Sequence, residues 1–182
     1  MKNILFLGSS VTNGSGNNNV SFVEIIREKT NYNCVKNAVN GTTLADLGEN
    51  SYIKRFKRAI LEFAPDILVV QLSTNDATQK VDYGLISKSK EYNISTTFGA
   101  IEQIIDIAKN NLNCKVIFYT NPYYESKEYA LLVNGLKVIK EKWDIAVVDF
   151  YNMPLKETFM TDAIHPNNEG YLWMSDVLLK YL

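Results

Sequence analysis

One histidine, two cysteines and four prolines stand among 182 residues. With His165 as the only histidine, no cysteine–histidine zinc cluster can be assembled. Cys34 and Cys114 lie far apart, neither in a CxxC pair, and each sits beside or inside an apolar stretch. Buried free thiols are therefore expected. An excess of charge is missing too: 19 Lys plus Arg balance 20 Asp plus Glu, a net charge of −1. The nearest thing to a basic run, Lys54-Arg55-Phe56-Lys57-Arg58, falls at helical spacing and reads as a solvated helix face. Nucleic acid is accordingly a poor candidate partner. There is also no long hydrophobic run: Ile4–Leu7 near the N-terminus is too short for a signal-peptide core or a membrane span, which leads to the expectation of a cytoplasmic protein. Finally, Gly8 to Gly16 lacks the G-x-x-x-x-G-K pattern of a phosphate loop, and no cofactor is expected.

What remains is the composition of an ordinary globular chain, 46% hydrophobic and 21% charged. At roughly 100–200 residues per domain, one domain over residues 1–182 is expected. A domain of this size buries roughly 70% of its unfolded surface and needs no metal or disulfide to hold its core.

Short apolar runs alternate with longer amphipathic stretches. Strands are expected at Ile4–Leu7, Cys34–Val39, Ile67–Leu72, Val116–Thr120 and Ile145–Phe150. Helices are expected at Val20–Thr30, Ser51–Phe63, Thr97–Leu112, Tyr124–Trp143 and Glu169–Leu182, with Ile53, Phe56, Ile60 and Leu61 on one side of the second. Ile67–Leu72 is almost wholly aliphatic, which requires cover on both faces. Strands alternating with helices predict a three-layer α/β fold, a parallel sheet between two helical layers. Reactive groups in such sheets gather beyond the carboxyl ends of the strands.

Four polar segments would reach that edge. Gly8-Ser9-Ser10-Val11-Thr12 follows the first strand, Asn40-Gly41-Thr42-Thr43 the second and Ser73-Thr74-Asn75-Asp76 the third, while Asp162-Ala163-Ile164-His165 precedes the last helix. A serine hydroxyl attacks well only when a base takes its proton, and histidine suits that work near neutral pH. A carboxylate on the other ring nitrogen fixes the tautomer, and Asp162 is three residues from His165. An oxyanion needs fixed donors, each worth about 3–4 kcal/mol of barrier. The backbone N–H groups of Ser10 and Gly41 and the side-chain amide of Asn75 are candidates. Each piece alone has a plainer reading: a turn for Gly8–Ser10, a helix cap or Asx turn for Asn75-Asp76, a turn cap for Asp162, a structural or surface histidine for His165. Their arrival at one edge of one sheet is hard to obtain by accident.

These segments resemble the blocks of the SGNH (GDSL) hydrolases, in which Ser, Gly, Asn and His occur in that chain order. Gly8 to Gly14 resembles G-D-S-x-T-x-G, Asn37 to Gly41 the second block, and Ser73 to Asp76 G-x-N-D. Asp162 to Asn167 closely matches D-x-x-H-P, with Gly170-Tyr171 continuing it. The resemblance implies a flavodoxin-like five-stranded parallel sheet in the order 2-1-3-4-5. It further implies a serine esterase with Ser10 as nucleophile, His165 as base, Asp162 as its partner, and Ser10, Gly41 and Asn75 as oxyanion hole. Two positions depart from the pattern: Ser9 replaces the aspartate before the nucleophile, and Ser73 the glycine of G-x-N-D. Because Ser9 and Ser10 are adjacent, the residues alone leave two candidate nucleophiles, and block alignment favours Ser10. A small ester is the implied substrate, with O-acetyl carbohydrates among the candidates. Acyl transfer by the same triad, or carbohydrate binding without catalysis, are the competing readings. Tyr83 and Tyr92 in the long polar stretch after the third strand, and Tyr123 and Tyr124 after the fourth, are candidate walls of the substrate pocket. Trp173 and Met174 are expected in the core.

Overall fold

The aliphatic run Ile67–Gln71 forms the central strand of a five-stranded parallel sheet in a computed structural model that describes residues 1–182. In chain order the strands are β1 (Asn3–Gly8), β2 (Asn33–Ala38), β3 (Ile67–Gln71), β4 (Lys115–Tyr119) and β5 (Ala146–Val148). They lie in the order β2-β1-β3-β4-β5, every pair parallel. The helices are α1 (Ser10–Asn13), α2 (Phe22–Lys29), α3 (Tyr52–Ala59), α4 (Thr74–Thr78), α5 (Thr97–Asp106), α6 (Lys127–Trp143) and α7 (Asn168–Leu178).

Alternation along each strand divides the interior in two. Leu5, Leu7, Leu68, Val70, Val116 and Phe118 point to one face, where α3, α5 and α6 cover them. Ile4, Phe6, Ile67, Val69, Ile117 and Tyr119 point to the other, against α2 and α7. This two-sided cover accounts for the unbroken aliphatic character of β3. Met174 is fully buried in the second core and the Trp173 ring packs on Phe150 and Phe159, the core placement expected of both. Cys34 and Cys114 are buried free thiols, as their apolar settings imply.

Several boundaries move inward from those the periodicity suggests, for identifiable reasons. α2 starts at Phe22 because Ser21 and Glu24 form a reciprocal capping box, which leaves Val20 outside and 41% exposed. α6 starts at Lys127 because Ser126 caps it through Tyr129 N–H, so Tyr123 and Tyr124 lie in the β4–α6 loop rather than on the helix. α3 ends at Ala59 and the chain turns, so Leu61 is 83% exposed and does not belong to the apolar side of that helix. Arg55 also departs from the reading of its segment as a solvated face: it is only 4% exposed.

The stretch 79–96 has no helix or strand of its own. It is strapped to the helical layer: Thr97 and Phe98 N–H donate to Asp82 and Tyr83, Ser87 N–H donates to the buried Glu102 carboxylate, and Tyr92 packs on Trp143. No helix is long and apolar enough to cross a membrane.

Candidate active site

The turn after β1 is built around a close approach. A Cβ on Gly8 would stand 1.7 Å from Thr12 Oγ1 and 2.8 Å from Gln71 Oε1, so only glycine lets the chain fold back under itself. Gln71, the last residue of β3, then holds the turn from below. Its Oε1 accepts Ser9 N–H at 2.9 Å and Thr12 Oγ1–H at 2.9 Å, and the Tyr119 hydroxyl lies 2.6 Å from Thr12 Oγ1. Tyr171 O–H donates to Val11 O. Ser9 is fully buried by this arrangement, whereas Ser10, the first residue of α1, is partly exposed. The structure thus separates the two adjacent serines: one faces the core and the other the edge.

Opposite Ser10, the chain before α7 is folded tightly enough to present His165. Thr161 N–H donates to His165 O, Asn167 Nδ2–H to Thr158 O, and Asn121 Nδ2–H to Ile164 O. His165 Nε2 is 2.9 Å from Ser10 Oγ, and His165 Nδ1 is 2.8 Å from Asp162 Oδ2. Burial pushes the Asp162 carboxyl up, but hydrogen bonds from the His165 ring and from the Ile164 and His165 N–H groups outweigh it and hold the carboxyl below its ordinary value. An ionised Asp162 accepts Nδ1–H, which leaves the Nε2 lone pair facing the Ser10 hydroxyl.

The remaining donors come from two loops that are tied to each other. Gly41 has φ +75°, a conformation that favours glycine, and its N–H donates to no group of the protein. Asn75 sits in α4, capped by Ser73, whose Oγ accepts the N–H groups of Asn75 and Asp76. The serine that replaces the family's glycine therefore serves as the helix cap. One Asn75 Nδ2 hydrogen goes to Thr42 O at 2.9 Å, which orients the amide and leaves its second hydrogen available. Asp76, fully buried, accepts Leu44 N–H, Ala45 N–H and Thr97 Oγ1–H, so the Gly41 loop is anchored to the Asn75 helix. Burial pushes the Asp76 carboxyl up, and these hydrogen bonds with that of Ser73 only partly offset it.

Arg55 closes the edge from the β2 side. Its guanidinium donates to Gly8 O at 2.7 Å, Asn37 O at 2.6 Å and Asn50 O at 2.8 Å, and reaches Thr42 Oγ1 at 3.3 Å. Neither Arg55 nor Gln71 emerges from motif reasoning. The available signal for Gln71 was a polar residue at the end of an otherwise aliphatic strand.

A mostly apolar cleft of about 560 Å³ adjoins the Asp162 end of this constellation, lined by Tyr123, Tyr124, Met153, Leu155, Met160 and Ala163 with Glu125, Glu157 and Asp162. Tyr83 is not part of it: its ring packs on Phe98 in the helical layer. Tyr92 likewise lies against Trp143.

A parallel α/β sheet with serine, histidine and carboxylate side chains meeting at its carboxyl edge defines the class of α/β hydrolases. Within it, the profile of the GDSL-like lipase/acylhydrolase family matches residues 6–173, and the chain belongs to that family of ester-cleaving hydrolases. Solved structures extend the likeness over the whole fold. A candidate lipolytic protein of the G-D-S-L family from Desulfitobacterium hafniense is 20% identical, with TM-score 0.79 and 100% of both chains covered. A candidate GDSL-like lipase from Bacteroides ovatus is 17% identical, with TM-score 0.77, covering 100% of this chain and 97% of that one. A family two carbohydrate esterase from Clostridium thermocellum, in complex with cellohexaose, is 15% identical, with TM-score 0.72, over 99% of this chain and 63% of that one. At these identities the likeness establishes the fold. No curated protein sequence matches the chain.

Proposed function

We propose that the protein cleaves a small ester through an acyl-Ser10 intermediate. The observation that carries this reading is the Ser10–His165–Asp162 relay, 2.9 Å and 2.8 Å across its two links. Ser10 Oγ attacks the acyl carbon while its proton passes to His165 Nε2. Asp162 holds the imidazolium, and the Ser10 N–H, Gly41 N–H and second Asn75 amide hydrogen take up the oxyanion. His165 then gives the proton to the departing alcohol, and water attacks the acyl-serine by the reverse route. The side chains of His165 and Asp162 are 25% and 56% exposed, so the water that deacylation needs has access to them. The carbohydrate esterase among the structural relatives supports an O-acylated sugar as one substrate type. The two free thiols fit a reducing, cytoplasmic setting.

Reaction with a fluorophosphonate and turnover of p-nitrophenyl acetate test the reading together. Wild-type protein is expected to be labelled and to hydrolyse the ester, with Ser10→Ala losing the label and about a millionfold in kcat. Labelling or turnover that survives in folded Ser10→Ala contradicts it.

A further inference from the structure

The cleft beside Asp162 has a chemistry that acyl chemistry alone does not require. Two phenols, Tyr123 and Tyr124, and two thioethers, Met153 and Met160, form its walls, and Glu125 and Glu157 stand with Asp162 as its only ionisable carboxylates. Neither glutamate takes part in an ion pair. The adjacent basic residues do not line it: Lys127 opens α6, and Lys156 Nζ stands over the Phe159 ring, 5.5 Å from its centroid. Tyr123 is 57% exposed and so offers ring surface to a ligand. Tyr124 is 9% exposed, its ring packed on Tyr129 with centroids 5.0 Å apart.

Aromatic faces, polarisable sulfur and unpaired carboxylates together suit a ligand that is apolar in surface and positive in charge. A quaternary ammonium has both properties: it is attracted by ring quadrupoles and by nearby carboxylates without needing a hydrogen bond. An anionic group would meet three carboxylates, and a neutral alkyl group would use the walls but gain nothing from the glutamates. The position also agrees with the chemistry. His165 returns its proton to the alcohol oxygen, so the alcohol lies on the His165–Asp162 side of Ser10, away from Gly41 and Asn75. We infer that this cleft holds a cationic, alkylammonium-bearing alcohol portion of the ester. The assignment of the alcohol rests on the acyl-Ser10 reading.

Acetylcholine and its neutral carbon isostere, 3,3-dimethylbutyl acetate, carry the same acyl group and nearly the same shape. Exposed carboxylates and cation–π contact predict about a tenfold higher kcat/KM for the cation at low salt, shrinking as salt rises. Glu125→Gln combined with Glu157→Gln should bring the ratio near one. Equal or reversed rates for the two isosteres in wild-type protein overturn the inference. A second readout is independent of catalysis: tetramethylammonium should shift the Met153 and Met160 methyl resonances of Ser10→Ala, neopentyl alcohol should do so less, and the double glutamine variant should lose the difference. If no ester is cleaved but these shifts occur, the esterase reading fails and the cationic cleft stands. If esters are cleaved but the methyl groups ignore the cation, the cleft assignment fails alone.

Discussion

Asp162 is more than half exposed at its side chain, yet three N–H donors converge on it: Ile164 at 2.8 Å, His165 backbone at 2.7 Å and the His165 ring at 2.8 Å. An acceptor-only carboxylate satisfies all three, and an amide does not. Asp162→Asn would present an NH2 group to at least one donor and unsettle the ring tautomer. Its expected cost is about 10³–10⁴ in kcat with KM little changed, measured on p-nitrophenyl acetate. The same residue carries a pH signature. Its folded pKa lies below the ordinary 3.8, so its stabilising contribution is present above the unfolded value and is lost as pH falls through the lower folded value. The acid limb of a Tm-against-pH curve should therefore flatten below about pH 4 in Asp162→Asn. An unchanged limb would mean that the depressed pKa contributes nothing to stability. At this scale Ser9 also finds its place: its N–H is held by Gln71 and its hydroxyl is buried, so the carboxylate of the family pattern has been exchanged for a small core-facing group.

At the scale of elements, the site is a set of loop ends held in register by polar groups from below and beside. Arg55, on α3, is the clearest case. It gathers carbonyls from the end of β1, the end of β2 and the loop before α3, and no carboxylate neutralises it. Burial pushes its guanidinium down from the usual value, so the charge is costly and is retained only through this fork of acceptors. Arg55→Met should strand the buried Gly8 carbonyl and the part-buried carbonyls of Asn37 and Asn50, and destabilise the fold by on the order of 3 kcal/mol. Arg55→Lys keeps the charge but cannot reproduce the planar fork, and should recover only part of the stability and of kcat. Thermal melts and kcat for both variants check this. Lysine and methionine variants as stable and active as the wild type would contradict the clamp. Nothing in the local pattern Lys54–Arg58 distinguishes Arg55 from its exposed basic neighbours, because the three carbonyls it serves come from distant parts of the chain. The serine, glycine, asparagine and histidine segments were legible for the opposite reason: their spacing and order are local facts. Which aromatic loop faces the cleft was not legible, since Tyr83 and Tyr123 both follow a strand and only packing on Phe98 draws the first one away.

At the scale of the whole molecule, the parallel sheet followed from alternation and its strand order from the family resemblance, and the five strands lie where the apolar runs are, each end within a residue or two. Helix ends were less legible because caps such as Ser21, Ser126 and Asn167 decide them and apolar periodicity does not. The sheet brings Ser10, from the first turn of the chain, within 2.9 Å of His165, 155 positions later. The central claim is that this meeting makes Ser10 a nucleophile. Its most direct test is to quench p-nitrophenyl acetate turnover with acid and map the acylated residue by peptide mass spectrometry. One acetyl group on Ser10, present in Ser9→Ala and absent in Ser10→Ala, is the expected result. Acetylation of Ser9, or full turnover with no acetyl group on either serine, would contradict the account.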